Sequence, residues 1–312
     1  MNTTAVVLER PQDLKLMRLD LAQPGAADVV VDVEWSGIST GTEKLLWYGR
    51  MPSFPGLGYP LVPGYESVGR VVQAGPDATL PLGTRVFVPG ARCFGEIRGL
   101  FGGAASRLVV PAEKVVAVPE SLEERAVLLA LAATAHHAVA GGNRQLPDLV
   151  VGHGVLGRLI ARVTRMLGGD PVVWECDPQR AQASDGYRVS DAASDPRRDY
   201  PVICDVTGDA ALLDQLISRL APGGEIILAG FYAEPLSFAF PPAFMREARL
   251  RVAAEWRAPD LVAVRQAVET GRLSLDGLIT HRAEASGAEN AYRTAFGDSA
   301  CLKMVLDWRG HA

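Results

Sequence analysis

The amino-acid sequence predicts an α/β protein of two domains, one β-rich and one built on a doubly wound parallel sheet. Three observations carry that prediction. The chain has 312 residues, and a domain typically takes about 100–200. Its first third is a series of short apolar runs punctuated by Gly and Pro, the pattern of a barrel or sandwich. From residue 149 onward, apolar runs alternate with helical patterns, which implies βαβ units.

The short runs lie at 5–8, 29–34, 67–72, 85–88, 107–110 and 115–118. Residues 49–64 interrupt them with a Pro- and Gly-rich stretch that also carries Met51, Phe54, Leu57 and Tyr59. An irregular stretch of that length inside a compact domain is often a binding loop. Residues 122–139 are Ala-rich with helical spacing. Strands are then expected at 149–151, 172–175, 202–206, 225–229 and 249–253, and helices at 156–166, 210–220 and 261–270. The tail, 278–308, mixes strand, helix and strand.

Composition narrows the function. Lys and Arg total 31 against 36 Asp and Glu, a net charge of −5, so the chain lacks a basic footprint for nucleic acid. Its longest apolar stretch, 126–135, is half of the roughly twenty residues needed to cross a bilayer. The start, Met1-Asn2-Thr3-Thr4, has no basic segment, so no secretory signal and a cytoplasmic location are expected. Cys93, Cys176, Cys204 and Cys301 are tens of residues apart, which argues against a zinc ribbon or a disulfide scaffold.

Leu149-Val150-Val151 leads into Gly152-His153-Gly154-Val155-Leu156-Gly157 and then an amphipathic helix. That strand, turn and helix context is what a GxGxxG string needs to indicate a dinucleotide site. The first Gly permits the tight turn, the second lets backbone approach a pyrophosphate, and the third lets helix and strand pack closely. Val155 and Leu156 open the helix, whose unpaired N–H groups face the phosphates. Glu175 ends the next strand, 23 residues after Gly152. A carboxylate there accepts the ribose hydroxyls of NAD and repels the extra phosphate of NADP. Asp205 and Thr207, at the end of a later strand, either touch the cofactor or cap the next helix. His153, inside the glycine turn, reads as a loop residue rather than a catalytic one.

Ser36-Gly37-Ile38-Ser39, Pro63-Gly64-Tyr65-Glu66 and Leu278-Ile279-Thr280-His281-Arg282 resemble segments of the medium-chain dehydrogenase/reductase superfamily. The resemblance spans essentially the whole chain. It implies a GroES-like β-barrel catalytic domain over 1–118 and 277–312, a Rossmann NAD-binding domain over 119–276, and hydride transfer. A longer run, Ser36 to Lys44, Trp47, Gly49, Met51-Pro52, Phe54-Pro55-Gly56 and Tyr59 to Glu66, is similar to one branch of that superfamily, the dehydrogenases of bacteriochlorophyll biosynthesis. This implies oxidation of a 3-(1-hydroxyethyl) group on a magnesium-bacteriochlorin to a 3-acetyl group, with NAD as hydride acceptor. It also implies that Thr134 faces the nicotinamide.

The superfamily's catalytic zinc is not expected here. Ser39 and Tyr65 stand where Cys and His ligands would, Ala130 where the third ligand would, and Cys93 alone remains of the structural zinc loop. Zinc requires thiolate, imidazole or carboxylate donors in a tetrahedral set. Alcohol oxidation without it needs a polar group within reach of the leaving proton. The candidates are Ser39, Thr40, Thr42, Tyr65, His136 and His137. Adjacent helix residues point about 100° apart, so at most one histidine is expected to face the cleft squarely, with His136 ranked first. Ser39 and Tyr65 read equally as hydrogen-bond fillers of a vacated metal site.

A chlorin is flat and apolar with a propionate edge. Trp47, Tyr48, Met51, Phe54 and Tyr59 suit one wall, and Lys44 and Arg50 suit the carboxylate; local loop packing is the alternative for the aromatic residues. Two other functions fit the sequence less well: a zinc-independent quinone or enone reductase, which would favour NADPH, and a pigment carrier without turnover. Strand 249–253 is a homodimer candidate, and the insolubility of the pigment would allow loose membrane association.

Overall fold

The structure, a computed structural model, describes residues 1–53, 55–141, 145–182 and 186–311. They form two compact units, Met1–Ala130 with Asp276–Ala312, and Leu131–Leu275. The sequence pattern and the family resemblance place the boundaries after 118 and 276. Residues 119–130 instead belong to the first unit, where Arg85 donates to the Glu120 carbonyl at 2.8 Å and Arg282 pairs with Glu124.

In the first unit, strand Asp28–Ile38 organises the fold. It pairs antiparallel with Ser67–Ala74, Arg107–Pro111 and Met304–Asp307. Its irregularities at Val30/Val31 and Val33/Trp35 bend it, as bulges do, while Val29, Val30, Val31 and Val33 stay buried. A second sheet runs in the order Asp13–Asp20, Asn2–Arg10, Leu61–Val62, Arg98–Gly99. Strand Asp13–Asp20 was not foreseen. Its turn is Pro11-Gln12, with Gln12 at φ 62°, and lacks the glycine that signals a hairpin. The tail contributes strand His281–Glu284, helix Ala288–Gly297 and strand Met304–Asp307.

The second unit is a parallel sheet of six strands. Their order is Arg188–Ser190, Val172–Trp174, Leu149–Val151, Tyr200–Asp205, Leu220–Leu228, Arg249–Val252. In chain order this is 3-2-1-4-5-6, the doubly wound arrangement whose crevice opens where the order reverses. That point lies beside Leu149–Val151, where the glycine turn begins. The edge strand Arg188–Ser190 is too short for its apolar pattern to be read. Strand Leu220–Leu228 begins earlier than expected and helix Leu213–Arg219 is correspondingly shorter. On helix Phe240–Met245 and on the edge strand Arg249–Val252 that follows it, Phe240, Phe244, Met245 and Val252 are 65–76% exposed. No described helix is long and apolar enough to cross a membrane.

Gly152 sits at φ 101°, and a Cβ on Gly157 would lie 1.9 Å from the Gly152 carbonyl oxygen. A Cβ on Gly154 would meet nothing within 4 Å. Gly157→Ala is therefore expected to lower the melting temperature by several degrees, a cost of about 2–3 kcal/mol for overpacking. Gly154→Ala should melt within about 1 °C of the parent. Equal effects on melting in differential scanning calorimetry would contradict the packing described.

Candidate functional site

The chemistry-bearing residues of the first unit meet because of strand register. Ser36 pairs with Ser67 and Ile38 with Met304. Just beyond these pairs come Ser39, Tyr65, Glu66 and Lys303. Ser39 Oγ and Tyr65 Oη lie 2.7 Å apart. Lys303 Nζ donates to both Glu66 oxygens at 3.0 and 2.7 Å and to the Ile38 carbonyl at 3.2 Å. Both partners of this ion pair are at most 1% exposed. Burial pushes the Glu66 carboxyl up, and Lys303 pulls it back. Burial also pushes the Tyr65 phenol above its ordinary value, against the pull of Ser39 and Thr42. Tyr65 is thus a hydrogen-bond donor near neutral pH rather than a phenolate base.

Glu43, in the first turn of helix Thr42–Trp47, escaped the sequence reading. It is 1% exposed. Its Oε1 accepts from the Ser39 amide at 2.9 Å and its Oε2 from the Tyr292 hydroxyl at 2.6 Å. Burial raises its carboxyl to about 7, Tyr292 and Ser39 opposing. A lone Glu on a six-residue helix gives no sequence signal. Lys303 does, since it interrupts an otherwise apolar run, Cys301 to Leu306.

The donor set at Ser39, Tyr65 and Ala130 does not fit zinc. The two hydroxyls satisfy each other, Ala130 has no donor, and Glu66 already holds an ammonium. Cys93 is buried, and burial raises its thiol to about 11; no group of three or more His, Cys, Asp or Glu that could hold a metal ion occurs among the described residues.

Of the expected substrate residues, Lys44, Tyr48 and Arg50 are exposed, with Arg50 over the Tyr48 ring. Trp47 is a correction: it is 3% exposed and packs against Tyr292 and Phe296 at ring distances of 6.3 and 6.0 Å. Met51 is likewise in the core, and Tyr59 spends its hydroxyl on the Leu46 carbonyl. Phe54 lies outside the described residues.

In the second unit, the Glu175 carboxylate accepts from the His153 amide at 3.0 Å and the Asp177 amide at 2.8 Å. A carboxylate has about four lone-pair sites, and Glu175 is only partly buried, so acceptor capacity remains. His153 is fully buried, with Nδ1 on the Arg180 carbonyl at 2.7 Å and Nε2 on the Tyr187 hydroxyl at 2.8 Å. Both ring nitrogens are committed, and the residue is a latch under the turn. Asp205 corrects an expectation. It is 2% exposed and accepts from the Thr207 amide and hydroxyl and from Tyr232, so it shapes the loop from beneath. Thr207 remains beside the glycine turn: its Cγ2 is 3.3 Å from where a Gly152 Cβ would lie. Thr134 is partly buried on helix Leu129–Ala140.

His136 and His137, on the same helix, both reach Asp260. His136 Nδ1 lies 2.8 Å from Oδ1 and His137 Nδ1 2.9 Å from Oδ2. Asp260 stands in the first turn of helix Ala258–Glu269 and also accepts from the Arg257 amide at 2.9 Å. Burial pushes its carboxyl up, but the amide and the two imidazoles outweigh this and hold it below the usual carboxylate value. The two histidines, 16% and 15% exposed, are not divided into one facing ligand and one facing core. The two carboxylate oxygens bridge their angular offset, and nothing in this geometry ranks His136 above His137.

Glu43 also makes a pH prediction. Its folded-state value, about 7, lies above the usual 4.5, so the stability it contributes is complete below about pH 4.5 and is lost as pH rises through 7. The loss is on the order of 3 kcal/mol. Glu43→Gln should flatten this part of the stability profile between pH 5 and 8 in urea titrations. An unchanged slope would show that Glu43 is ionised throughout.

The alcohol dehydrogenase GroES-like domain family matches residues 25–120. The chain is 58% identical over 318 residues, all of both chains, to 2-desacetyl-2-hydroxyethyl bacteriochlorophyllide A dehydrogenase of Cereibacter sphaeroides. It is 56% identical over 311 residues, 99% of both chains, to the protein of the same name in Rhodobacter capsulatus. Among solved structures, 2R,3R-butanediol dehydrogenase from Bacillus subtilis aligns with a TM-score of 0.84 at 20% identity, over 98% of this chain and 99% of that one; this likeness is one of fold. The chain belongs to the family of those two full-length relatives, the 2-desacetyl-2-hydroxyethyl bacteriochlorophyllide A dehydrogenases, within the medium-chain dehydrogenase/reductase superfamily.

Proposed function

We propose that this chain oxidises the hydroxyethyl substituent of a bacteriochlorophyllide to an acetyl group, with NAD as hydride acceptor and without zinc. The observation that carries this reading is the 58% identity, end to end, with an enzyme named for that substrate. When bound, NAD supplies the acceptor for the hydride. The residues suited to hold it are the turn Gly152–Gly157, with Val155 and Leu156 at the helix start, and Glu175. Space is open at Gly154 for a pyrophosphate, and the negative charge of Glu175 disfavours a 2′-phosphate.

The alcohol proton must leave as the hydride does. His136 or His137 takes it on Nε2, since Nδ1 of each is turned to Asp260. Ser39 and Tyr65 share one hydrogen bond, so the O–H left over in that pair, or that of Thr42, serves as the hydroxyl donor toward the substrate oxygen, and burial of Tyr65, which pushes its phenol up, supports this role. Lys44 and Arg50, both exposed, suit a propionate, and Tyr48 suits the macrocycle face.

Anaerobic incubation with NAD and the hydroxyethyl pigment should yield one NADH per acetyl product, from protein carrying far less than one zinc per chain. Turnover that requires stoichiometric zinc, or that runs faster with NADP, would overturn those two parts of the reading. The exposed Val252 on edge strand Arg249–Val252, with exposed Phe240, Phe244 and Met245 on the helix before it, supports a homodimer formed through that edge. Sedimentation should give a dimer for the parent chain and a monomer for Val252→Glu; a monomeric parent would contradict it.

A further inference from the structure

We infer that Asp260 is a positioning residue for the proton-accepting histidines, setting the tautomer of both His136 and His137. This rests on the reading that one of them takes the alcohol proton. Each Nδ1 lies within 2.9 Å of a different Asp260 oxygen. An ionised carboxylate only accepts hydrogen bonds, so each Nδ1 carries the hydrogen and each Nε2 presents a lone pair. Without Asp260 a neutral imidazole is free to carry its hydrogen on either nitrogen, and an Nε2–H ring accepts nothing there.

Helix capping alone does not account for Asp260. A cap at this position needs one acceptor oxygen, and Oδ2 provides it to the Arg257 amide at 2.9 Å. Oδ1 bonds His136, and Oδ2 takes His137 as well, from a helix 124 and 123 residues away in sequence. The location is also that of a ligand edge. Helix Ala258–Glu269 follows strand Arg249–Val252, which runs parallel within the same sheet as Leu149–Val151. Asp260 thus follows the same end of the sheet as the glycine turn, the end at which such sheets bind ligands. Arg251 ties the histidine helix to that strand by donating to the Ala138 carbonyl at 2.7 Å.

In the step this serves, the carbinol C–H leaves as hydride to NAD and the O–H proton passes to Nε2, giving ketone, NADH and an imidazolium. Asp260 keeps its charge beside that imidazolium and takes no proton itself.

The test is Asp260→Asn. Asn keeps one oxygen for the Arg257 amide and turns an NH₂ toward one ring, which must then accept at Nδ1 and carry its hydrogen on Nε2. In protein labelled with ¹⁵N-histidine, long-range ¹H–¹⁵N spectra should show two Nδ1–H rings in the parent and at least one switched ring in D260N. We expect kcat to fall by roughly 10²-fold or more, the scale of general-base catalysis, with the KM for NAD within about twofold. Parent rings already protonated on Nε2, or tautomers unchanged in D260N, would overturn the inference, while loss of turnover in H136Q/H137Q would leave the histidine reading standing. If the ring that switches in D260N is the one whose single Gln variant, H136Q or H137Q, loses turnover, and D260N turnover is undiminished, the histidine reading itself is sunk, and Asp260's role with it.

Discussion

Lys303 and Glu66 face each other with almost no contact with water, and the first unit is built around that pair. Breaking a buried ion pair by removing one partner typically costs about 3–5 kcal/mol. The pair forms only when three strands hold register: Lys303 precedes Met304, opposite Ile38, and Glu66 precedes Ser67, opposite Ser36. The tail of the chain is thereby fastened to its beginning. The same contact explains Gly37, where a Cβ would fall 2.2 Å from Glu66 Oε2. It also holds the Glu66 carboxylate close enough to Tyr65 to help push that phenol up, in a set of donors that does not suit zinc.

Glu43 extends this arrangement. Its carboxylate joins the turn after strand Asp28–Ile38 to helix Ala288–Gly297 through Ser39 and Tyr292. A second buried acid beside Glu66 cannot be accommodated at full charge without cost, and its raised value follows. The barrel-side hydroxyls are therefore held by groups that do not themselves meet solvent.

The second unit uses acids differently. Glu175, Asp205 and Asp260 stand at or after the last residue of a parallel strand, at the same end of the sheet, and each accepts from a nearby backbone amide there. Burial separates their roles. Asp205, with three protein donors and 2% exposure, is structural. Glu175 is more open and has acceptor capacity left. Asp260 spends both oxygens on imidazoles, and so sets which ring nitrogen can take a proton.

The sequence by itself determined the α/β class, the alternation of strands and helices from residue 149, the glycine turn and the acid that follows it. These are local features: apolar period, a tight turn and a fixed spacing encode them within about 30 residues. The hairpin at Pro11-Gln12 and the short edge strand Arg188–Ser190 lay beyond that signal, one for want of a glycine and the other for want of length. The tertiary structure alone decided that Trp47 is core, that Asp205 is a loop brace, and that His136 and His137 share one carboxylate. It also brought Lys303 to Glu66 and Tyr292 to Glu43, across 237 and 249 residues of sequence. Contacts at such separations depend on strand register and helix docking, which no local pattern records.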